Sequence, residues 1–589
     1  MCQACDARFL QVLRAYQGAG GRRDVLRGLG ALAAASALGV SPLHAATARP
    51  PGQAASARSA DQIFISRTMH TLDRRNTVVQ ALAVRQGRIV ARGSRQDILG
   101  LAGRSTQVID LGDQVVLPGF VEPHMHSNFC SLRPWLDVGP FTTDTLAQAL
   151  QKIGAAAQRA PARGWVQAKM LDPSIMPGAA LDRHALDAVS PTVPVFVLEA
   201  NGHVACVNSA AIQVAGLTRD VADPPQARFG RDAQGELSGR LEEPNAFQPF
   251  IAKMPTPSPQ DLVALLRADL DDASAKGCTT LHDAGIGALF GEGDLALIDA
   301  VMAGNPGVRY ARFLVSTHFK TWQRMGLRPG PRSRRFTLNG IKAWADGSNQ
   351  GLTGYQRNPY LGQQTRGALN YSPAEIEAVI RQAHQSGWQI GVHANGDAAI
   401  DTVLDAFERV CGAGGARALR HRIEHCSILD AGQIARMARL GVSPSFLIGH
   451  VHYWGVALRD RLLGPHRANR LDPCRSALAG GLRVSLHSDY NVTHIDPLRC
   501  IENAVTRRLR EDGSVLNPDE RITPLQALRT MTIDAAWQCH LDRVCGSLEV
   551  GKAADLVVLA QDPLTVDPDR IGQIAVRSTW LDGERRYAA

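Results

Sequence analysis

Short, β-branched apolar runs recur through this chain, and between most of them the apolar positions shift to a helical spacing. Eight runs read as strands: VVLPGFVEPHMH, GCTTLHDAG, VRYARFLVS, FTLNGIKAWADG, WQIGVHANGD, HRIEHC, LGVSPSFLIG and LRVSLHSDY. Stretches such as SPAEIEAVIRQAHQSG and AAIDTVLDAFERVCG read as helices between them. Strand and helix alternating eight times predicts an α/β chain built on a (β/α)₈ barrel, whose catalytic groups sit at the C-terminal ends of its strands. Further short strands precede the barrel (DQIFISRTMHTLD, TVVQALAVRQGRIVARG, TQVIDLGD) and follow it (ADLVVLAQDP, IAVRSTWLDGERRY).

Polar residues able to bind metal stand at the ends of five of the eight runs. His124 and His126 form a His-x-His pair in VVLPGFVEPHMHSN. Residues i and i+2 of a strand share a face, about 7 Å apart, so both imidazoles can address one cation. Alone the pair is weak, since a buried histidine bonded to backbone is commoner. Four downstream positions give it weight: Lys342 in FTLNGIKAWADGS, His393 closing WQIGVHANGD, His425 closing HRIEHC, and Asp489 closing LRVSLHSD. Imidazole nitrogen and carboxylate oxygen suit zinc and similar divalent ions. A buried lysine tends to lose its proton and can then form a carbamate with carbon dioxide. The plainer alternative for Lys342 is an ion pair with a neighbour such as Asp346. The five elements fall on strands one, four, five, six and eight, at one rim.

On the motifs PGFVEPHMH, IKAWADGS, VHANGD, RIEHC, HSD and GSLEVGKAADLVVLAQDPL, the chain resembles the amidohydrolase superfamily, in the YtcJ-like branch that includes N-substituted formamide deformylases. The resemblance spans residues 60 to 586, roughly, and no ligand position departs from it. It implies two divalent metal ions, zinc first among them, although manganese, cobalt, nickel or iron would fit. His124 and His126 would bind the more buried ion, His393 and His425 the second, and carboxylated Lys342 would bridge them. Asp489 would be the proton-transfer base. The implied reaction is hydrolysis of a non-peptide carbon–nitrogen bond of the amide type in a small molecule. A metal-bridging hydroxide would attack, with Asp489 as proton shuttle. Deamination, phosphotriester hydrolysis or decarboxylation on the same centre are alternatives that fold and ligands do not separate. So is a metal-binding protein without hydrolytic activity, which the intact Asp489 argues against.

The resemblance also implies that both chain ends join in a small β-sandwich. The expected division is a leader at 1–46, a linker at 47–60, sandwich at 61–115 and 541–589, barrel strand one at 116–130, an insertion at 131–270, and the rest of the barrel at 271–540. About 140 residues between strands one and two far exceed ordinary βα loops of about 2–6 residues. They carry their own strand signals, AKML and VPVFVLEANGHVACVNS, and are expected to cap the C-terminal face and set specificity. His203 in NGHVACVN, and His450, His452 and Trp454 in FLIGHVHYWG, are candidate substrate contacts, each with a structural alternative. Asp283 and His318 are expected to be structural, and His487 to support the site from the same face as Asp489.

Composition narrows the partners. Charged residues make up 20% and the formal net charge is +9. The first 46 residues hold five arginines against two aspartates, so the remainder carries about +6, spread without a basic stripe or aromatic–basic interleaving. Nothing in this suggests a nucleic-acid surface. Arg22 and Arg23 precede a short apolar run and small residues, in GRRDVLRGLGALAAASALGVSPLHAATA. The run is below the ~20 residues that span a bilayer. It fits a twin-arginine-type signal cut between Ala45 and Ala48, predicting passage through the twin-arginine export machinery to the periplasm or medium, with no membrane segment afterwards. Val25 and Arg27 depart from the usual signal, and Cys2 and Cys5 form an isolated Cys-x-x-Cys. Nine cysteines follow the leader without repeated spacing, against a disulfide framework. Oligomeric state is open, with a homodimer as one option.

Overall fold

The computed structural model describes residues 59–589 except 177, 179, 180, 225, 226, 243 and 290. The leader features, including Arg22, Arg23, Cys2 and Cys5, lie outside the described residues. Eight strands form one parallel sheet in chain order: β1 (Phe120–Met125), β2 (Cys278–Ile286), β3 (Arg309–Val315), β4 (Phe336–Trp344), β5 (Gln389–Ala394), β6 (Arg422–His425), β7 (Ser443–Phe446) and β8 (Ser485–Leu486). Closure comes just past β8: Met125 bridges Tyr490 in parallel, and His126 N–H donates to the Tyr490 carbonyl at 2.7 Å. The chain is thus a (β/α)₈ barrel with additional sheets.

The helices form as their sequences predict. Pro373–Gln385 starts with a capping box between Ser372 and Glu375, with Pro373 in the first turn, and buries Ile376, Ile380 and Ala383. Asp397–Cys411 buries Ile400, Val403, Leu404 and Phe407 at helical spacing.

The run VVLPGFVEPHMH, read as one strand, is two. Val115–Pro118 pairs with Leu556–Leu559 and Ala60–His70, outside the barrel, and β1 starts at Phe120. The break falls at Gly119, where a Cβ would sit 2.2 Å from Thr279, so the chain can bend there only without a side chain. Strands from both chain ends share one eight-stranded sheet. Arg88 bridges Ala553, and Ile89 exchanges backbone hydrogen bonds with Gly551 and Lys552. The sheet therefore curls back on itself around Phe64, Leu82, Ile89, Val116, Leu556, Val558 and Trp580.

Between β1 and β2 a six-stranded sheet runs from Leu136–Asp137 to Leu237–Glu242 with two apolar cores of its own. Helix Pro259–Ala275, whose N-terminal part falls in the range expected for the insertion, packs instead on β2 and the strands of the chain-end sheet. No helix among the described residues is long and apolar enough to cross a membrane. The nine described cysteines are all free thiols, eight of them buried.

Candidate metal centre

The C-terminal mouth of the barrel gathers the residues that the sequence singled out. His124 ends β1 beside His126, with ring centroids 5.3 Å apart. His425 lies 4.9 Å from His124 and 4.5 Å from His393, centroid to centroid. Asp489 Oδ1 is 3.2 Å from His126 Nε2 and 3.4 Å from His124 Nε2, and its Oδ2 is 3.8 Å from His425 Nδ1. Lys342 Nζ, fully buried, lies 3.1 Å from His124 Nε2. His124, His425 and Asp489 can bring one donor atom each to a common cation.

The hydrogen bonds fix which atoms are available. His124 Nδ1 donates to Glu424 Oε2 at 2.6 Å, which leaves the Nε2 lone pair facing Lys342 and Asp489. His393 Nε2 donates to the Gly347 carbonyl at 3.0 Å, leaving Nδ1 as its donor atom. His425 Nδ1 and Asp489 Oδ1 are buried without a hydrogen-bond partner. Burial holds His124 and His425 well below the usual histidine range and His393 down to about 3, so these rings are neutral and can offer lone pairs. Buried polar atoms are normally satisfied. Neutral imidazoles and a carboxylate converging with unused acceptor atoms are a donor set that fits divalent cations. Burial also raises Asp489, but the His126 side chain and neighbouring cationic groups outweigh it and leave the carboxyl ionised.

Two of these residues reach the site through unusual backbone. His425 and Asp489 have φ of 65° and 52°, a region non-glycine residues enter only when their surroundings hold them there. For β6 this matters. Arg422 and Glu424 share a strand face, and both point into the barrel: Arg422 lies over the Phe313 ring, and Glu424 meets His124. Simple alternation would turn His425 away, and the left-handed residue brings it back.

Several participants escaped the sequence reading. Glu424 anchors His124 and is itself held by Arg422 Nε at 2.8 Å. Gly391 leaves room for it, since a Cβ there would lie 2.5 Å from Glu424 Oε1. Glu122 accepts the backbone N–H groups of His124 and Ser488, tying β1 to β8. Gly285 accommodates His126, whose Nδ1 would be 2.8 Å from a Cβ at that position. The available signal was parity within RIEH and FVEPH, where a second charged residue shares the inward face.

The remaining candidates fall in different places. Asp346 is not an ion-pair partner for Lys342; it accepts backbone N–H from Tyr355, Asn395 and Gly396 and so ties the β4 and β5 loops together. Asp283 accepts from Ser127, Gly285 and Tyr310, a structural knot under the β1–β2 rim. His487 stacks on His124 at 4.5 Å and bonds the Ser445 carbonyl. His203 stands with its ring 6.5 Å from His393, and buried His450 bonds Ser427 Oγ. His452 and Trp454, also read as substrate contacts, each make a hydrogen bond to another part of the chain. His452 Nδ1 bonds the Arg508 carbonyl, and fully buried Trp454 donates to Asp172 of the insertion at 2.6 Å. Both lie on the helix Gly449–Val456 that follows β7. At the opposite end of the barrel, His384, Cys411 and His421 also cluster. There His421 Nδ1 accepts Ile390 N–H, which places its proton on Nε2 and leaves no lone pair for a metal.

The profile of the amidohydrolase family matches residues 107–587. The chain belongs to that family. It is 30% identical over 540 residues to the N-substituted formamide deformylase of Arthrobacter pascens, covering 90% of this chain and 98% of that one. It is 27% identical to the putative amidohydrolase YtcJ of Bacillus subtilis, across 86% and 96% of the two chains. Among solved structures, an uncharacterized metal-dependent hydrolase from Pyrococcus horikoshii shares the amidohydrolase fold at TM-score 0.68 and 21% identity, over 86% of this chain and 99% of that one. The chain is thus an amidohydrolase-family hydrolase of the YtcJ-like branch.

Proposed function

We propose that this amidohydrolase cleaves a non-peptide carbon–nitrogen bond of the amide type in a small molecule, using two divalent cations at the barrel mouth. The observation that carries the reading is the convergence of His124, His126, Lys342, His393, His425 and Asp489, with His126 Nδ1, His425 Nδ1 and Asp489 Oδ1 buried and without a hydrogen-bond partner. The likeness to a deformylase supports the choice of bond. Bound cations, zinc first, would supply an acidified water and a polarised carbonyl. His124 and His126 would hold one ion, His393 and His425 the other. Asp489 takes the proton of the attacking water at a carboxylate oxygen and passes it to the leaving nitrogen, a relay worth ~10²–10⁴-fold.

Lys342 Nζ lies 3.1 Å from His124 Nε2, and burial lowers its pKa to about 8. Its neutral amine can attack carbon dioxide, forming an N–C bond and releasing a proton, and the resulting carbamate would present two oxygens to the ions. Intact-mass measurement with and without bicarbonate reads the added CO₂; a bare amine at metal saturation removes this part. We propose further that the leader carries the enzyme out through twin-arginine export, checked by the N-terminus of the exported chain and by Arg22→Lys with Arg23→Lys. The test of the reaction is a panel of N-formyl and N-acyl amines, cyclic ureas, aminopyrimidines and phosphotriesters on the zinc- or manganese-loaded protein. Preferred turnover of the amines supports the reading; preferred turnover of phosphotriesters or aminopyrimidines replaces it.

A further inference from the structure

Behind Asp489 stands a buried carboxylate that the proposed reaction does not use. Asp269, on helix Pro259–Ala275, has a fully covered side chain. Its Oδ1 accepts the Tyr490 phenol at 2.9 Å and the Arg133 guanidinium at 2.7 Å. Tyr490 directly follows Asp489, and its carbonyl accepts His126 N–H at 2.7 Å in the contact that closes the barrel. The residue after Asp489 is therefore fixed twice, by its peptide to β1 and by its ring to Asp269. This is the setting in which Asp489 keeps its left-handed φ of 52°. The anchor reaches the insertion as well. Arg133 follows the turn Ser127–Leu132, and Lys169 Nζ, on the insertion strand Val166–Leu171, donates to the Leu132 carbonyl at 2.7 Å and the Arg133 carbonyl at 3.4 Å.

We propose that Asp269 and Tyr490 are positioning residues for Asp489, aiming its carboxylate at His126 and the attacking water, and that Lys169 clamps the insertion to the same anchor. The proposal rests on Asp489 as the base. A positioned catalytic group moved by about 1 Å can lose up to ~10²-fold in rate, and groups that orient a metal site typically matter ~10–100-fold. Local fixing of Asp489 gives these two residues a kinetic role apart from the stability that an Arg133–Asp269 ion pair could supply alone.

The test compares Tyr490→Phe, Asp269→Leu, Asp269→Asn and the double variant Tyr490→Phe/Asp269→Leu with Asp489→Asn. All are zinc-loaded, assayed on the N-substituted formamide that wild type turns over fastest, and crystallised. Tyr490→Phe and Asp269→Leu are expected to lower kcat about tenfold with KM and metal content little changed. In their crystals the Asp489 Oδ1 to His126 Nε2 separation, 3.2 Å here, should lengthen. Asp269→Asn, which keeps an oxygen for the phenol, should recover most of the rate, and the double variant should be no slower than the slower single one. If kcat and that separation stay at their wild-type values while only the melting temperature falls, the anchor is merely structural and the proposal fails. Wild-type turnover in Asp489→Asn would be a separate failure, removing the base itself.

Discussion

Two buried charged clusters in this molecule look alike in composition and differ in satisfaction. At the base of the barrel, Arg309 opens β3 and donates to Asp555 at 3.0 Å, to Asp582 at 3.1 Å and to the Arg334 carbonyl at 2.6 Å. Arg335 donates to Asp582 at 2.6 Å, and Asp582 N–H donates to Asp555 at 2.9 Å. None of the side-chain polar atoms of Arg309, Asp555 or Asp582 is left buried without a partner. The mouth is the opposite: His126, His425, His487 and Asp489 each keep a buried polar atom without a hydrogen bond. An unmade buried hydrogen bond costs about 1–3 kcal/mol. A fold can leave several in one place only if the rest of the structure holds them there. The base cluster joins barrel to chain-end sheet; the mouth cluster leaves buried polar atoms without a protein partner.

That contrast can be broken. Chelation, or Asp489→Asn with metal retained, should remove ~10²–10⁴-fold or more of turnover while leaving the base cluster and the fold intact. Circular dichroism beside a rate assay reads both, and loss of fold would merge the two regions. Arg309→Met should do the reverse. Stranding Asp555, while Asp582 keeps Arg335, is expected to cost about 3–5 kcal/mol in urea unfolding with kcat per folded molecule unchanged; a fall in kcat would show that the regions are coupled. Glu424→Gln sharpens the boundary between them, since Glu424 is satisfied yet serves the mouth. Metal affinity or rate should fall ~10–100-fold, read by competition with a chromophoric chelator, with little change in unfolding. The smallest effect belongs to Trp454→Phe, which leaves Asp172 without its 2.6 Å donor. A loss of about 1 kcal/mol and a KM raised a few-fold are expected, because that bond ties the insertion to the barrel. An unchanged KM would detach the insertion from substrate binding.

The barrel was legible because most of its strands are buried, largely apolar runs alternating with helical spacing, a pattern that local sequence carries by itself. Five site elements were legible for a related reason: an imidazole, lysine or carboxylate ending such a run has no packing role. Glu424, Arg422 and Glu122 were not legible, because a charged residue inside a strand reads as an outward face unless the facing strands are known. Nor was the roll of His425 into the mouth, which depends on a backbone turn that neighbouring strands impose. The hydrogen bonds of His452 and Trp454 were not legible either, since the helix after β7 directs them to Arg508 and Asp172.

The order of strands and helices, the five elements that meet at the barrel mouth and the presence of a large insertion were therefore written in the linear pattern, where spacing and residue type suffice. Which imidazole nitrogen is free, what holds Asp489 in place and where the insertion grips the barrel were decided only in three dimensions. Those features depend on pairs such as His124 with Glu424 and Tyr490 with Asp269, separated by hundreds of positions and joined by closure of the barrel. Hydrogen bonds between such distant residues leave no periodic trace along the chain, whereas burial does.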